Sequence, residues 1–243
     1  MADQSPHVLI LGSAPSAMAA CDWPRAPFTH IIAINNAWRI RNDWDYLIHP
    51  EDFPPENHPH EITADKIVIT ANDYVPLQNQ YGGFVYAGGT MAFTAGYWAL
   101  AALRPATLAY FGCDMVYPKM GQTHFYGTGT ADPLRDDITL RSLEAKSARL
   151  ALFGAAQGCR IARLSRGDSR LVFPRTSRRE LSAAPLPDIS AMRPALKREA
   201  ELGYIVPSGR YWEVDQRFDP AEIDGLDRLW LTAYRSSCLD QVA

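Results

Sequence analysis

The loop from Tyr117 to Asp137 (YPKMGQTHFYGTGTADPLRDD) carries the densest chemistry in the chain. It is long, polar and glycine-rich, which marks a working loop at an active site rather than a plain connection. His124 is its acid/base candidate, because a histidine near its ordinary pKa takes a proton from an attacking hydroxyl at neutral pH. Tyr117 and Tyr126 can hydrogen-bond a leaving phosphate, and Lys119 or Arg135 can neutralise it. The bland alternative for His124 is a loop histidine bonded to backbone. Asp132, Asp136 and Asp137 read more simply as helix-start residues than as metal ligands.

A second constellation lies at the start of the chain. VLILGSAPSAMAA, Val8 to Ala20, runs an apolar strand into Gly12 and then into Pro15 and Ser16 at a helix start. Such a turn brings backbone N–H groups against a ligand and makes a phosphate-sized seat. It matches neither the G-x-G-x-x-G nor the G-x-x-x-x-G-K-[ST] spacing, so neither a dinucleotide fold nor an ATP P-loop is indicated. An ordinary tight strand-to-helix turn is the alternative.

These residues need elements to hold them. Six short apolar runs, HVLILG, HIIAINNA, DYLIHP, KIVIT, TLAYFGCDM and RIARLS, alternate with helical stretches and are bounded by Gly, Pro or Asn. That pattern predicts an α/β fold: one Rossmann-like domain with a central, mostly parallel sheet flanked by helices. Thr90 to Leu103 is apolar around its whole circumference and predicts a buried helix. Thr139 to Gly158 predicts an amphipathic helix with its charges outside, and Ile189 to Leu202 a helix stopped at Gly203. Residues 1–175 form the Rossmann-like domain on this reading, and residues 176–243 a small helical appendage serving as a lid or an oligomer contact. The proline-rich stretch near Pro185 and Pro187 falls in that appendage. Arg175, Arg178 and Arg179 cluster at its start and read as a solvated linker.

Ligands of open parallel sheets bind beyond the carboxyl ends of the strands. There the sequence turns polar: Gly12, Ser13 and Ser16 after the first run, Asn35 and Asn36 after the second, His49, Glu51 and Asp52 after the third, Gly112 and Asp114 after the fifth. Amides and hydroxyls so placed can read a nucleobase edge, and a carboxylate can take ribose hydroxyls. Each has a local alternative: Asn35 and Asn36 as caps, Asp114 as a loop tie.

With 243 residues, 47% hydrophobic content and a formal charge of −3, the chain can bury a large core. Its basic residues form no long stripe, which disfavours nucleic acid and favours a small-molecule partner. Cys21, Cys113, Cys159 and Cys238 lack C-x-x-C spacing and read as reduced core thiols. No D-x-D pair ends a strand and His58 with His60 lacks a third ligand, so no metal is expected. The absence of an apolar leader in MADQSPH and of any long apolar run predicts a soluble, cytoplasmic protein. No G-x-S-x-G elbow supports a hydrolase.

The order of motifs resembles that of the bacterial sialyltransferases of glycosyltransferase family 42 and the related domains that include flagellin-modifying Maf proteins. LILGSAPS (Leu9 to Ser16) stands where the family has a strand and a G-N-G-P-S turn, and AINNA matches its strand ending in Asn. His49-Pro50 matches a polar residue before Pro, GGTMAF (Gly88 to Phe93) its T-S-G turn, FGCD (Phe111 to Asp114) its S-G-I-D, and HFYG (His124 to Gly127) its H-Y-I-G. The match spans roughly the first 170 residues. The resemblance implies a bacterial, metal-independent transferase that uses a sugar linked to cytidine monophosphate and needs no cofactor beyond that donor. It places Ser13, Asn35, His49, Gly89, Thr90 and Asp114 around the nucleotide. Ser13 and Ala14 stand where the family has Asn and Gly, His49 replaces an Asn, and Val116 stands where a tyrosine is expected, with Tyr117 one residue on. Thr128 occupies the position of the family's general-base histidine. Either His124 serves as base toward an acceptor hydroxyl, or the domain binds a nucleotide without turnover. A magnesium-dependent phosphoryl or pyrophosphoryl transferase of the related group is the third reading, and a homo-oligomer is compatible with all three.

Overall fold

A computed structural model describes residues 6–183 and 186–239; Pro185 and most of the amino-terminal MADQSPH segment lie outside the described residues. All six apolar runs are strands: β1 (His7–Leu11), β2 (His30–Ile34), β3 (Tyr46–Ile48), β4 (Ile67–Ile69), β5 (Thr107–Phe111) and β6 (Arg160–Arg163). They form one sheet of order β4-β3-β2-β1-β5-β6, and every pairing is parallel. β1 sits at the centre, with Leu11 opposite Ala33 on one side and Phe111 on the other.

Alternation along each strand feeds two cores. Val8, Ile10, Ile32, Leu108 and Tyr110 point to one face, and Leu9, Leu11, Ile31, Ala33 and Phe111 to the other. The first face is covered by helices α1 (Ala71–Asn79), α2 (Phe84–Ala87), α3 (Met91–Ala102), α4 (Leu143–Ala156) and α6 (Pro220–Leu239), with α5 (Arg193–Leu202) packed on α6. The second face is closed by 3-10 segments at Pro15–Asp22 and Asn35–Arg39 and by Phe28, Trp44 and Leu181. The helix expected after the first turn is therefore a 3-10 segment, begun by Pro15.

α3 is buried from Ala92 to Leu100, as its uniform composition predicts, and Thr90 caps it by accepting from the Phe93 amide. Gly96 is required there: a Cβ would lie 2.1 Å from the Tyr110 hydroxyl.

α4 departs from the sequence reading. Lys146 and Arg149, expected outside, are 1% exposed. Lys146 pairs with Asp227 at 3.0 Å and Arg149 with Glu199 at 2.7 Å, both from the carboxyl-terminal segment. A buried charge needs such a partner, and neither lies near it in sequence. The segment after residue 176 thus shares the main core, with Ile223, Leu226 and Trp230 of α6 buried in it. α5 begins four residues later than the apolar pattern placed it, after a 3-10 turn at Ser190–Met192, and ends at Gly203 in the left-handed region. α6 was legible in the sequence only as an acidic stretch. No described helix is long and apolar enough to cross a membrane.

Candidate functional site

The sheet order reverses between β1 and β5, and a cleft of about 1140 Å³ opens at the carboxyl end of the strands there. Open parallel sheets bind ligands at this switch point. Gly12, Ser13, Asn35, Gly89, Thr90, Gly112, Tyr117, His124 and Tyr126 all line it, together with Glu51, Asp52, Asp132, Arg135 and Asp137, so the cleft gathers many of the residues singled out from sequence.

The floor is made by two glycines. The Gly12 amide donates to the Phe111 carbonyl at 2.8 Å and the Ala14 amide to the Gly112 carbonyl at 3.0 Å. A Cβ on Gly12 would lie 2.4 Å from the Gly112 oxygen, and one on Gly112, whose φ is +74°, would lie 2.6 Å from Ala17 Cβ. The turns after β1 and β5 are locked together by this approach. Two amides of the expected phosphate seat are spent in doing so, and no α-helix begins behind them, so the turn serves as a floor more than as an anion hole.

Asn35 follows β2 with φ +50°, a left-handed conformation that is uncommon outside glycine and clusters at functional sites. Its Oδ1 is buried with no hydrogen-bond partner among the described residues. The Thr94 hydroxyl on α3 is in the same state and also lines the cleft; its burial inside an apolar helix gave it no sequence signal. Unpaired buried polar atoms are costly, and these two offer hydrogen-bonding positions to a polar group entering the cleft.

The working loop is held against the first turn. The Phe125 amide donates to the Ser13 carbonyl at 3.0 Å, and His124 and Gly127 bridge each other. The His124 ring stacks on Tyr126 at 5.0 Å and meets Tyr117 at 5.8 Å. Burial lowers the His124 pKa below the ordinary histidine value, with Asp132 opposing it, which favours the neutral ring. Burial drives the Tyr117 phenol well above its usual value, which keeps it a donor. His124 Nε2 makes no hydrogen bond among the described residues.

Comparison with protein-family models, with curated proteins and with solved structures finds no match for this chain. Its chemistry must be read from the cleft itself.

The far wall comes from the carboxyl-terminal segment, whose Pro207 to Trp212 line the cleft. Tyr211 donates to Asp137 Oδ2 at 2.8 Å and receives from Arg135 Nη2 at 3.2 Å, while the same Nη2 reaches the Gly89 carbonyl at 3.3 Å. Burial works against the Asp137 carboxylate, yet hydrogen bonds from Thr139 and Tyr211 and the Arg135 charge hold its carboxyl below the usual range. This network ties the working loop to α3's entry and to the appendage. Tyr211 was not recognisable in sequence, since its partners lie far away along the chain.

Other expected residues lie elsewhere. Asp114 is buried and does not line the cleft; its carboxylate accepts from the Ser165 hydroxyl and its carbonyl from the Arg170 amide, a loop tie. Ser16 is exposed on the 3-10 segment. Thr128 is exposed and donates to the Gly121 carbonyl at 2.9 Å. Asn36 and His49 are buried behind the lining, and each keeps one unpartnered atom, Oδ1 and Nε2. His49 Nδ1 lies 2.9 Å from the Pro50 carbonyl and its ring packs on Phe53 and His58. Arg178 lies over the Trp23 ring at 4.6 Å. Among the described residues, no three His, Cys, Asp or Glu side chains converge to hold a metal.

Proposed function

We propose that the protein is a metal-independent glycosyltransferase that uses a sugar linked to cytidine monophosphate and transfers it directly to an acceptor hydroxyl. The observation that carries this reading is the presence, in one switch-point cleft, of an unsatisfied amide oxygen at Asn35 and of a histidine, His124, that bonds Thr123 through Nδ1 and leaves Nε2 unbonded among the described residues. The volume of about 1140 Å³ exceeds the roughly 300–1,000 Å³ of ordinary small-molecule sites, leaving room for donor and acceptor together.

The charges lining the cleft bear on the donor. Glu51, Asp52, Asp132 and Asp137 face Arg135 and Arg210 among the described lining residues. Four carboxylates against two guanidinium groups suit a donor with one phosphate better than a triphosphate, which would need metal or a basic cradle. In the reaction His124 Nε2 takes the acceptor proton as the acceptor oxygen bonds to the anomeric carbon. The bond from that carbon to the phosphate oxygen breaks, and its electron pair leaves with cytidine monophosphate. Tyr117 and Tyr126 donate to the leaving phosphate.

The test is calorimetry with CMP, CDP, UDP, GDP, ADP and ATP, each with and without Mg²⁺, followed by a transfer assay with CMP-sialic acid. Selective binding of CMP or CDP without metal and turnover of the donor are the expected results. Magnesium-dependent ATP binding would replace the reading with phosphoryl transfer. Cytidine-nucleotide binding without turnover on any acceptor would identify a binding domain.

A further inference from the structure

Thr123 has one hydroxyl proton and three close polar neighbours. Its Oγ1 lies 3.1 Å from the Gly129 carbonyl oxygen, 2.8 Å from the Gly129 amide nitrogen and 2.9 Å from His124 Nδ1. A carbonyl only accepts and an amide only donates, so the arrangement that makes all three contacts hydrogen bonds sends the Thr123 proton to the carbonyl and gives one lone pair to the amide; a proton sent to a bare Nδ1 would leave the Gly129 carbonyl without this donor. The remaining lone pair faces Nδ1. A deprotonated Nδ1 there would set two lone pairs against each other, whereas a protonated one completes all three contacts.

We infer that Thr123 is a positioning residue that holds His124 in its Nδ1–H tautomer and so leaves Nε2 as the unprotonated nitrogen. The catalytic part of this inference rests on the proposed role of His124 as base; the tautomer itself rests on geometry alone. The orientation of one imidazole nitrogen by a hydrogen bond at the other is the usual way a histidine's working nitrogen is chosen. Unconstrained neutral histidine prefers the opposite, Nε2–H form, so a group that reverses the preference acts directly on the fraction of competent base.

The backbone enforces the contact. A Cβ on Gly129 would sit 3.0 Å from His124 Nδ1 and 3.2 Å from Cε1, so any side chain here would press on the ring and glycine lets the loop close over it without a shift. The ring is also confined by Tyr126, nearly parallel at 18°.

The experiment uses the full chain labelled with ¹⁵N-histidine and long-range proton–nitrogen correlation spectra above the ring's titration, with His124→Gln assigning the signals. The wild type should show a protonated Nδ1 and a bare Nε2 for His124. Thr123→Val should move His124 to the Nε2–H form and Thr123→Ser should leave it as in the wild type. In the transfer assay Thr123→Val should lose at least about tenfold in kcat with KM for the donor unchanged, and Thr123→Ser should recover most of it. A wild-type Nε2–H tautomer would overturn the inference, as would an unchanged tautomer in a folded Thr123→Val. The Nδ1–H form seen in a protein that binds no cytidine nucleotide would leave the tautomer standing and remove the transferase reading instead.

Discussion

The amide of Phe125 and the carbonyl of Ser13 are joined at 3.0 Å, so the histidine of the working loop is referenced to the turn that follows the central strand. Through Gly12 and Gly112 that turn is in turn locked to the end of β5. His124, floor and sheet are thus one mechanical unit, and the histidine does not depend on loop closure alone for its place.

Replacement of Gly12 by alanine tests this coupling. The added Cβ would meet the Gly112 oxygen at 2.4 Å, which the backbone relieves only by parting the two turns. Overpacking of this kind costs about 1–3 kcal/mol. We expect a loss of that size in urea unfolding together with weakened nucleotide binding. Wild-type affinity at unchanged stability would show that the two turns move freely.

Asn35 combines an unusual backbone with an unsatisfied side chain, and Asn35→Gly separates the two. Glycine adopts φ +50° without penalty, so the fold should keep its unfolding midpoint closely. The lost amide should weaken cytidine-nucleotide binding by about 1–2 kcal/mol, roughly tenfold, in calorimetry. Unaltered affinity would take Asn35 out of nucleotide recognition.

The pH profile follows from the environment of His124. Burial disfavours its charged form, and Asp132 only partly compensates, so its pKa lies below the ordinary 6.5. A base must be neutral to act. The kcat/KM of transfer should therefore rise with pH through a midpoint below 6.5 and level off above it. Asp132→Asn removes the opposing charge and should shift the midpoint further down. A midpoint above 6.5, or one that moves up in Asp132→Asn, would assign the titration to another group.

The parts of this architecture legible in the sequence are those set by local pattern. The six strands announce themselves as short apolar runs between Gly, Pro and Asn, and α3 as a segment too apolar for any surface. The polar residues at strand ends pointed to the switch-point cleft because parallel topology fixes which end is functional. Distance in sequence hid the rest. Lys146 and Arg149 look like a solvated face of α4 until Asp227 and Glu199 arrive from the carboxyl-terminal segment. Tyr211 is one aromatic among many until it meets Arg135 and Asp137. Asp114, placed after a strand end like Asn35, is turned away from the cleft and tied to Ser165 and Arg170.

The carboxyl-terminal segment should accordingly be indispensable to the fold. Arg149 donates to both Glu199 oxygens, at 2.7 and 2.8 Å, and to the Tyr97 hydroxyl at 2.8 Å, while Trp230 Nε1 donates to Glu199 Oε1 at 2.8 Å. Glu199→Gln leaves a guanidinium buried without its counter-charge, and breaking such a pair costs about 3–5 kcal/mol. Glu222→Gln breaks the Arg198–Glu222 pair at the surface, where a pair is worth about 0–1 kcal/mol. Denaturant midpoints of the two variants should differ accordingly, with Glu199→Gln far lower. Equal midpoints would mean that α5 and α6 can detach without disturbing α4, and that the segment behaves as the separable appendage its sequence resembles.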